Sequence, residues 1–255
     1  MTEPCLVLDR VSLRYGAVTA LDEVSISVGR GERVALLGPS GAGKSSLIAL
    51  ASTACRPSAG TVHLFGRSLT GLSSRDRQML RRRLALVDQQ PPLPGSLRVI
   101  HNVNAGRLGH WSTWRALSSL VRPRDLRRAE RALETLGIGD KLWRRTDELS
   151  GGERQRVALA RIIVQGADLV LADEPVANLD PARADEVLSL LCAGAGDAQV
   201  PAFETVVVSL HDVGLARQHF GRVIGLRHGR VLFDGPAADV TPGVVNALYA
   251  IGADV

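Results

Sequence analysis

The most constraining feature of this chain is a short, mostly apolar run at residues 33–37. It ends at Gly38-Pro39-Ser40-Gly41-Ala42-Gly43-Lys44-Ser45 and leads into a helix-like stretch over residues 45–54. Those eight residues fit the pattern G-x-x-x-x-G-K-[ST], set between a strand and a helix, where the pattern has physical meaning. A brief apolar run bounded by glycine suits a strand of a parallel sheet, buried on both faces. The glycines let successive backbone N–H groups converge on phosphate oxygens, and the helix N-terminus adds a favourable dipole. Lys44 then supplies a point charge for β- and γ-phosphates, and Ser45 a hydroxyl for Mg²⁺. Lysine occurs only here and at Lys141, the other basic residues being arginine. A strand–loop–helix of this kind commits the chain to an α/β fold on a mainly parallel sheet flanked by helices.

With 255 residues, 45% apolar and 22% charged, the chain has globular composition, which excludes disorder and collagen-like repeats. Only 4% is aromatic, too little for a surface that stacks single-stranded nucleic acid. Cys5, Cys55 and Cys192 have no metal-ligand spacing and read as free thiols of a reducing compartment. Acidic Glu3 and Asp9 argue against a signal peptide. No apolar run approaches the ~18 residues of a spanning helix. The expectation is a soluble, cytoplasmic chain that reaches a membrane only through a partner.

Strand-like alternation covers residues 5–8, 11–15 and 24–28, and shorter runs recur at 61–65, 84–87, 170–172 and 206–209. Residues 223–226 and 231–233, joined by His228-Gly229, read as a hairpin with a two-residue turn. Between these runs lies an Arg-rich, helix-like stretch. The organisation expected is one domain over residues 1–255. Its core and antiparallel β subdomain would cover about 1–90 and 161–255, and an inserted helical subdomain about 91–160.

Two further clusters carry chemistry. Asp173 and Glu174 close an apolar run. A carboxylate at a strand end can hold Mg²⁺ through water, the part expected of Asp173, and Glu174 could polarise an attacking water. Ser150-Gly151-Gly152-Glu153 reads first as a capping box, Ser150 against Glu153. A cap does not require two glycines, so a second phosphate contact stays open beside that reading. The arginines at 75, 77, 81, 82 and 83, and at 122, 124, 127, 128 and 131, read as solvated helix faces. A nucleic-acid patch or an anionic membrane surface are the other uses of such charge.

Together, and in this order, the motifs resemble the ATP-binding-cassette (ABC) ATPases over essentially the whole chain. Gly38 to Ser45 match the Walker A loop, the run ending at Asp173 the Walker B strand, and Ser150-Gly151-Gly152 the family signature. The resemblance implies ATP and Mg²⁺ as cofactors, with Tyr15 stacking on adenine and Ser46 joining the loop at the nucleotide. It implies Gln89 as the Q-loop glutamine at the metal, Asp180 in the D-loop, and His211 as the switch histidine beside Glu174. Ser150 to Glu153 would face the ATP of a second cassette, so that two copies sandwich two nucleotides. Residues 102–109, 114–117 and 225–236 are similar to the phosphonate-importer group of the family. By that kinship the chain is expected to be an ATPase at the cytoplasmic face of the inner membrane. It would act as a homodimer on two transmembrane permease subunits, fed by a periplasmic solute-binding protein, without nucleic acid. Another small solute (phosphate, amino acid) is the alternative cargo, and a soluble cassette acting on nucleic acid or ribosomes the alternative class. A P-loop kinase leaves residues 149–155 unexplained.

Overall fold

The computed structural model describes residues 3–88, 93–177, 179–193 and 203–250. Its strands are β1 (Pro4–Tyr15), β2 (Val18–Gly29), β3 (Arg33–Leu37), β4 (Ala59–Leu64), β5 (Arg67–Ser68), β6 (Leu84–Asp88), β7 (Leu169–Asp173), β8 (Thr205–Ser209), β9 (Arg222–Arg227) and β10 (Arg230–Pro236). They form a four-stranded antiparallel sheet, β2-β1-β4-β5, and a six-stranded sheet, β10-β9-β3-β8-β7-β6. In the second sheet β3, β6, β7, β8 and β9 run parallel and only β10 is reversed. The expected α/β class, a P-loop core with an antiparallel β layer, is the one observed.

Val34 to Leu37 of β3 and Leu169 to Ala172 of β7 are fully buried, as strands covered on both faces must be. The helix Lys44–Ala51 sets Leu47 and Leu50 into one core with Leu6, Leu8 and Leu21 of the antiparallel sheet and Leu36, Leu171 and Ile224 of the parallel one. Residues 5–8 and 11–15 are one strand rather than two. Between Leu8 and Val11 the register shifts, Arg10 adopts φ 44°, and its N–H donates to Ser25 Oγ at 2.9 Å. A bulge of this kind bends a strand without ending it. His228 and Gly229, both at positive φ, join β9 to β10 as the two-residue turn expected.

The chain divides into two compact units. One comprises Met1–Gln89, Leu169–Cys192 and Glu204–Val255 and holds both sheets; the other comprises Gln90–Asp168 and Ala193–Phe203. The helical unit extends past residue 160 because Gly151–Gln165 is one unbroken helix, closed by Gly166 in the left-handed region. In that unit Asn102, 1% exposed, donates to Thr146 Oγ1 (2.8 Å) and to the Pro94 carbonyl (3.1 Å), and Asn104 donates to the Arg124 carbonyl (2.5 Å). These amides clip loops to helices. Two of the clustered arginines also serve the fold: Arg81 donates to both oxygens of Thr53, and Arg83 lies 3.8 Å over the Phe65 ring. Among the described residues no helix is long and apolar enough to cross a membrane.

Candidate active site

The loop Gly38 to Ser45 leaves the C-terminal end of β3, where open parallel sheets hold their ligands. Gly38 has φ 146°, and a Cβ there would lie 2.1 Å from the Leu226 carbonyl oxygen of β9. Gly43, the N-cap of Lys44–Ala51, has φ 105°, and a Cβ would meet the Ala20 carbonyl oxygen at 2.6 Å. Both glycines are therefore demanded by neighbouring backbone as well as by the ligand chemistry. The hairpin tip braces the loop: Gly229 N–H donates to the Ala42 carbonyl (3.1 Å), and Asp22 N–H donates to the Gly229 carbonyl (2.8 Å).

Lys44 is 4% exposed, and its ammonium donates to the Gly38 (2.7 Å) and Pro39 (3.1 Å) carbonyls. Burial pushes its pKa down, while the carboxylates of Glu174 and then Asp173 push it back up. The cation thus sits in a dry cradle opposite two acids. Tyr15, at the end of β1, is 53% exposed. Burial of its hydroxyl, with the Cys55 thiol beside it, raises its pKa. The ring is left available for stacking beside the loop helix.

Asp173 ends β7, and Glu174 follows at φ 49°. Glu174 Oε1 and His211 Nε2 are 2.5 Å apart, with both side chains partly exposed. Asp180 Oδ1 accepts from Arg183 N–H (3.0 Å) and Oδ2 pairs with Arg183 Nε (3.2 Å), which caps the helix Pro181–Ala193. Gln89 lies outside the described residues. In the helical unit the capping box is complete: Ser150 Oγ accepts from Glu153 N–H (3.2 Å), and Glu153 Oε2 accepts from Ser150 N–H (2.8 Å). The backbone bond from Ser150 holds the Glu153 carboxyl below its usual pKa, with Lys141 adding to it. A Cβ added at Gly151 or Gly152 would meet nothing within 4 Å.

Two residues at the site belong to no motif. Ser209, fully buried, accepts from Glu174 N–H (2.8 Å) and donates to Asp173 Oδ1 (2.7 Å). Its one sequence signal is a hydroxyl closing a run of valines. Tyr249, at the end of the helix Pro242–Tyr249, accepts from Gly38 N–H and donates to the His211 carbonyl, each at 3.3 Å. Burial raises its pKa, and nothing in the sequence marks it. Tyr249→Phe removes both bonds and is expected to cost about 1 kcal/mol per bond at most, or about five-fold in rate if one falls on hydrolysis. Thermal melts and steady-state ATPase rates check this; a variant matching wild type in both would remove Tyr249 from the site. A separate cleft of about 750 Å³ lies at the opposite, N-terminal ends of β3 and β9. Its Arg222 is already matched by Glu32 and Asp234.

A glycine loop closing a buried parallel strand, with its lysine facing two carboxylates, defines the class as a P-loop nucleoside triphosphatase. Residues 21–177 match the family described as ABC transporter. The chain belongs to that family, whose ATP-binding subunits are ATPases. It is 51% identical over 239 residues to a phosphonates import ATP-binding protein, PhnC, of Pseudomonas putida, covering 94% of this chain and 87% of that one. It is 50% identical over 246 residues to a PhnC of Pseudomonas aeruginosa, covering 96% and 91%. Among solved structures, CbiO1 of Clostridium perfringens, part of the CbiONQ transporter complex, superposes with TM-score 0.79 at 26% identity, covering 93% of this chain and 90% of that one. The cassette MJ0796, a dimer in a post-hydrolysis state with ADP and Pi, superposes with TM-score 0.73 at 26% identity, covering 91% and 98%.

Proposed function

We propose that this chain is the ATP-hydrolysing subunit of an importer for phosphonates or a related phosphorus oxyanion other than inorganic phosphate. In this reading it works as a homodimer of cassettes on two membrane subunits, at the cytoplasmic face of the inner membrane, and a periplasmic binding protein delivers the solute. The observation that carries the cargo is half-identity to phosphonate import proteins over nearly the whole chain. A cassette does not itself touch the solute, so the cargo rests on kinship rather than on a pocket.

Gly38 to Ser46 wrap the triphosphate, Lys44 takes the β- and γ-phosphates, and Tyr15 stacks on adenine. The donors Ser45, Asp173 and Gln89 offer only oxygen, which suits a hard divalent cation such as Mg²⁺. Those residues would hold the ion beside the triphosphate, where it would supply positive charge against the negative charge developing there. Glu174 acts as base toward the attacking water, and His211, already joined to it at 2.5 Å, orients the pair.

Ser150 to Glu153 serve the partner's nucleotide, with Asp180 at the same seam. The open space over Gly151 and Gly152 supports that assignment. This chain's own packing does not ask for glycine there, whereas close approach of a neighbour's phosphates does. Closure on ATP and reopening on hydrolysis then form a ligand-driven population shift.

The test is co-purification with the membrane subunits and reconstitution with the binding protein. ATPase activity is expected to rise when a phosphonate is added and not with amino acids. Stimulation by inorganic phosphate alone, or by amino acids, would overturn the cargo while leaving the ATPase assignment standing.

A further inference from the structure

We propose that Ser209 is a positioning residue for ATP hydrolysis, its single hydroxyl holding Asp173 and Glu174 in their working arrangement. The inference rests on the roles given above to those two acids. Parallel pairing of β7 with β8 sets Asp173 opposite Ser209. The hydroxyl can donate once and accept from others, and here it does both: it donates to Asp173 Oδ1 at 2.7 Å and accepts from Glu174 N–H at 2.8 Å.

Each bond has a distinct consequence. The first occupies one oxygen of Asp173 and turns the carboxylate about a fixed point. The second restrains Glu174 at φ 49°, a region that non-glycine residues adopt sparsely. Ser209 at the end of β8 and His211 just beyond it both reach Glu174. The serine therefore grips the Glu174 backbone, and the histidine meets its carboxylate at 2.5 Å. Leu210 between them donates to the Leu36 carbonyl of β3 at 3.0 Å. The grip is thus referred to the strand that carries the phosphate loop. A fully buried hydroxyl with these partners has no solvent to replace it.

The experiment compares Ser209→Thr with Ser209→Val in the full-length chain. The two replacements have nearly the same shape and differ in the hydroxyl, so shared crowding cancels between them. Ser209→Val is expected to lower kcat by about ten-fold or more with the KM for ATP within about two-fold, and Ser209→Thr to restore most of the rate. In a Glu174→Gln background the valine substitution is expected to lower the residual rate by a smaller factor than in the wild-type background, since the part of the grip that acts through the base is already lost and only the part that acts through Asp173 remains. Equal rates for Thr and Val, equal losses in both backgrounds, or loss of ATP binding in both variants would assign Ser209 to the fold alone and overturn the proposal. If Glu174→Gln itself hydrolyses at the wild-type rate, the assignment of Glu174 fails, and the Thr–Val difference alone then decides for or against Ser209.

Discussion

Glu174→Gln is expected to lower ATP hydrolysis about 10²- to 10⁴-fold, the usual contribution of a general base, while ATP still binds. The substitution keeps the size of the side chain and an oxygen able to meet His211 Nε2, so the contact now 2.5 Å long survives in kind. It removes the charge that polarises water. Lys44 in its cradle, Ser45 and Asp173 are untouched, and so is the Ser209 grip, because that bond reaches the Glu174 backbone. If ATP closes two cassettes and only hydrolysis reopens them, the variant accumulates as an ATP-bound dimer. Single-turnover hydrolysis and gel filtration with ATP measure the two consequences separately. A wild-type rate would remove Glu174 from the chemistry and shift the role of base to His211.

The second large effect belongs to Lys44. Lys44→Ala is expected to weaken ATP binding by about two to four orders of magnitude. Hydrogen bonds to charged groups are worth roughly 1.5–3 kcal/mol each, and both the β- and γ-phosphates lose a partner. Among lysines only Lys141 remains, and it lies in the helical unit, paired with Asp140 and Glu153. Lys44→Arg is expected to fare little better. The site is 4% exposed and shaped around a compact ammonium that donates to the Gly38 and Pro39 carbonyls, where a planar guanidinium does not fit the same pair. Equilibrium ATP binding by titration calorimetry checks both variants; micromolar affinity in Lys44→Ala would place the phosphate site elsewhere.

What the sequence determined by itself is what short stretches of chain encode. The loop between residues 38 and 45, the capping box at Ser150 and Glu153 and the hairpin turn at His228-Gly229 each depend largely on dihedral preferences and hydrogen bonds among residues a few positions apart. For that reason they could be read from the string. What only the tertiary structure decided joins residues far apart in the chain. The register of β7 against β8 brings Ser209 to Asp173, 36 positions away. The docking of the last helix brings the Tyr249 hydroxyl to Gly38 N–H, 211 positions away. The bulge at Arg10 depends likewise on a serine in the neighbouring strand. No local pattern distinguishes a serine that closes a buried strand for packing from one that must satisfy an acid and an amide across the ladder. Strand pairing makes the difference, because it sets which polar groups share a water-free space and so which must bond to one another.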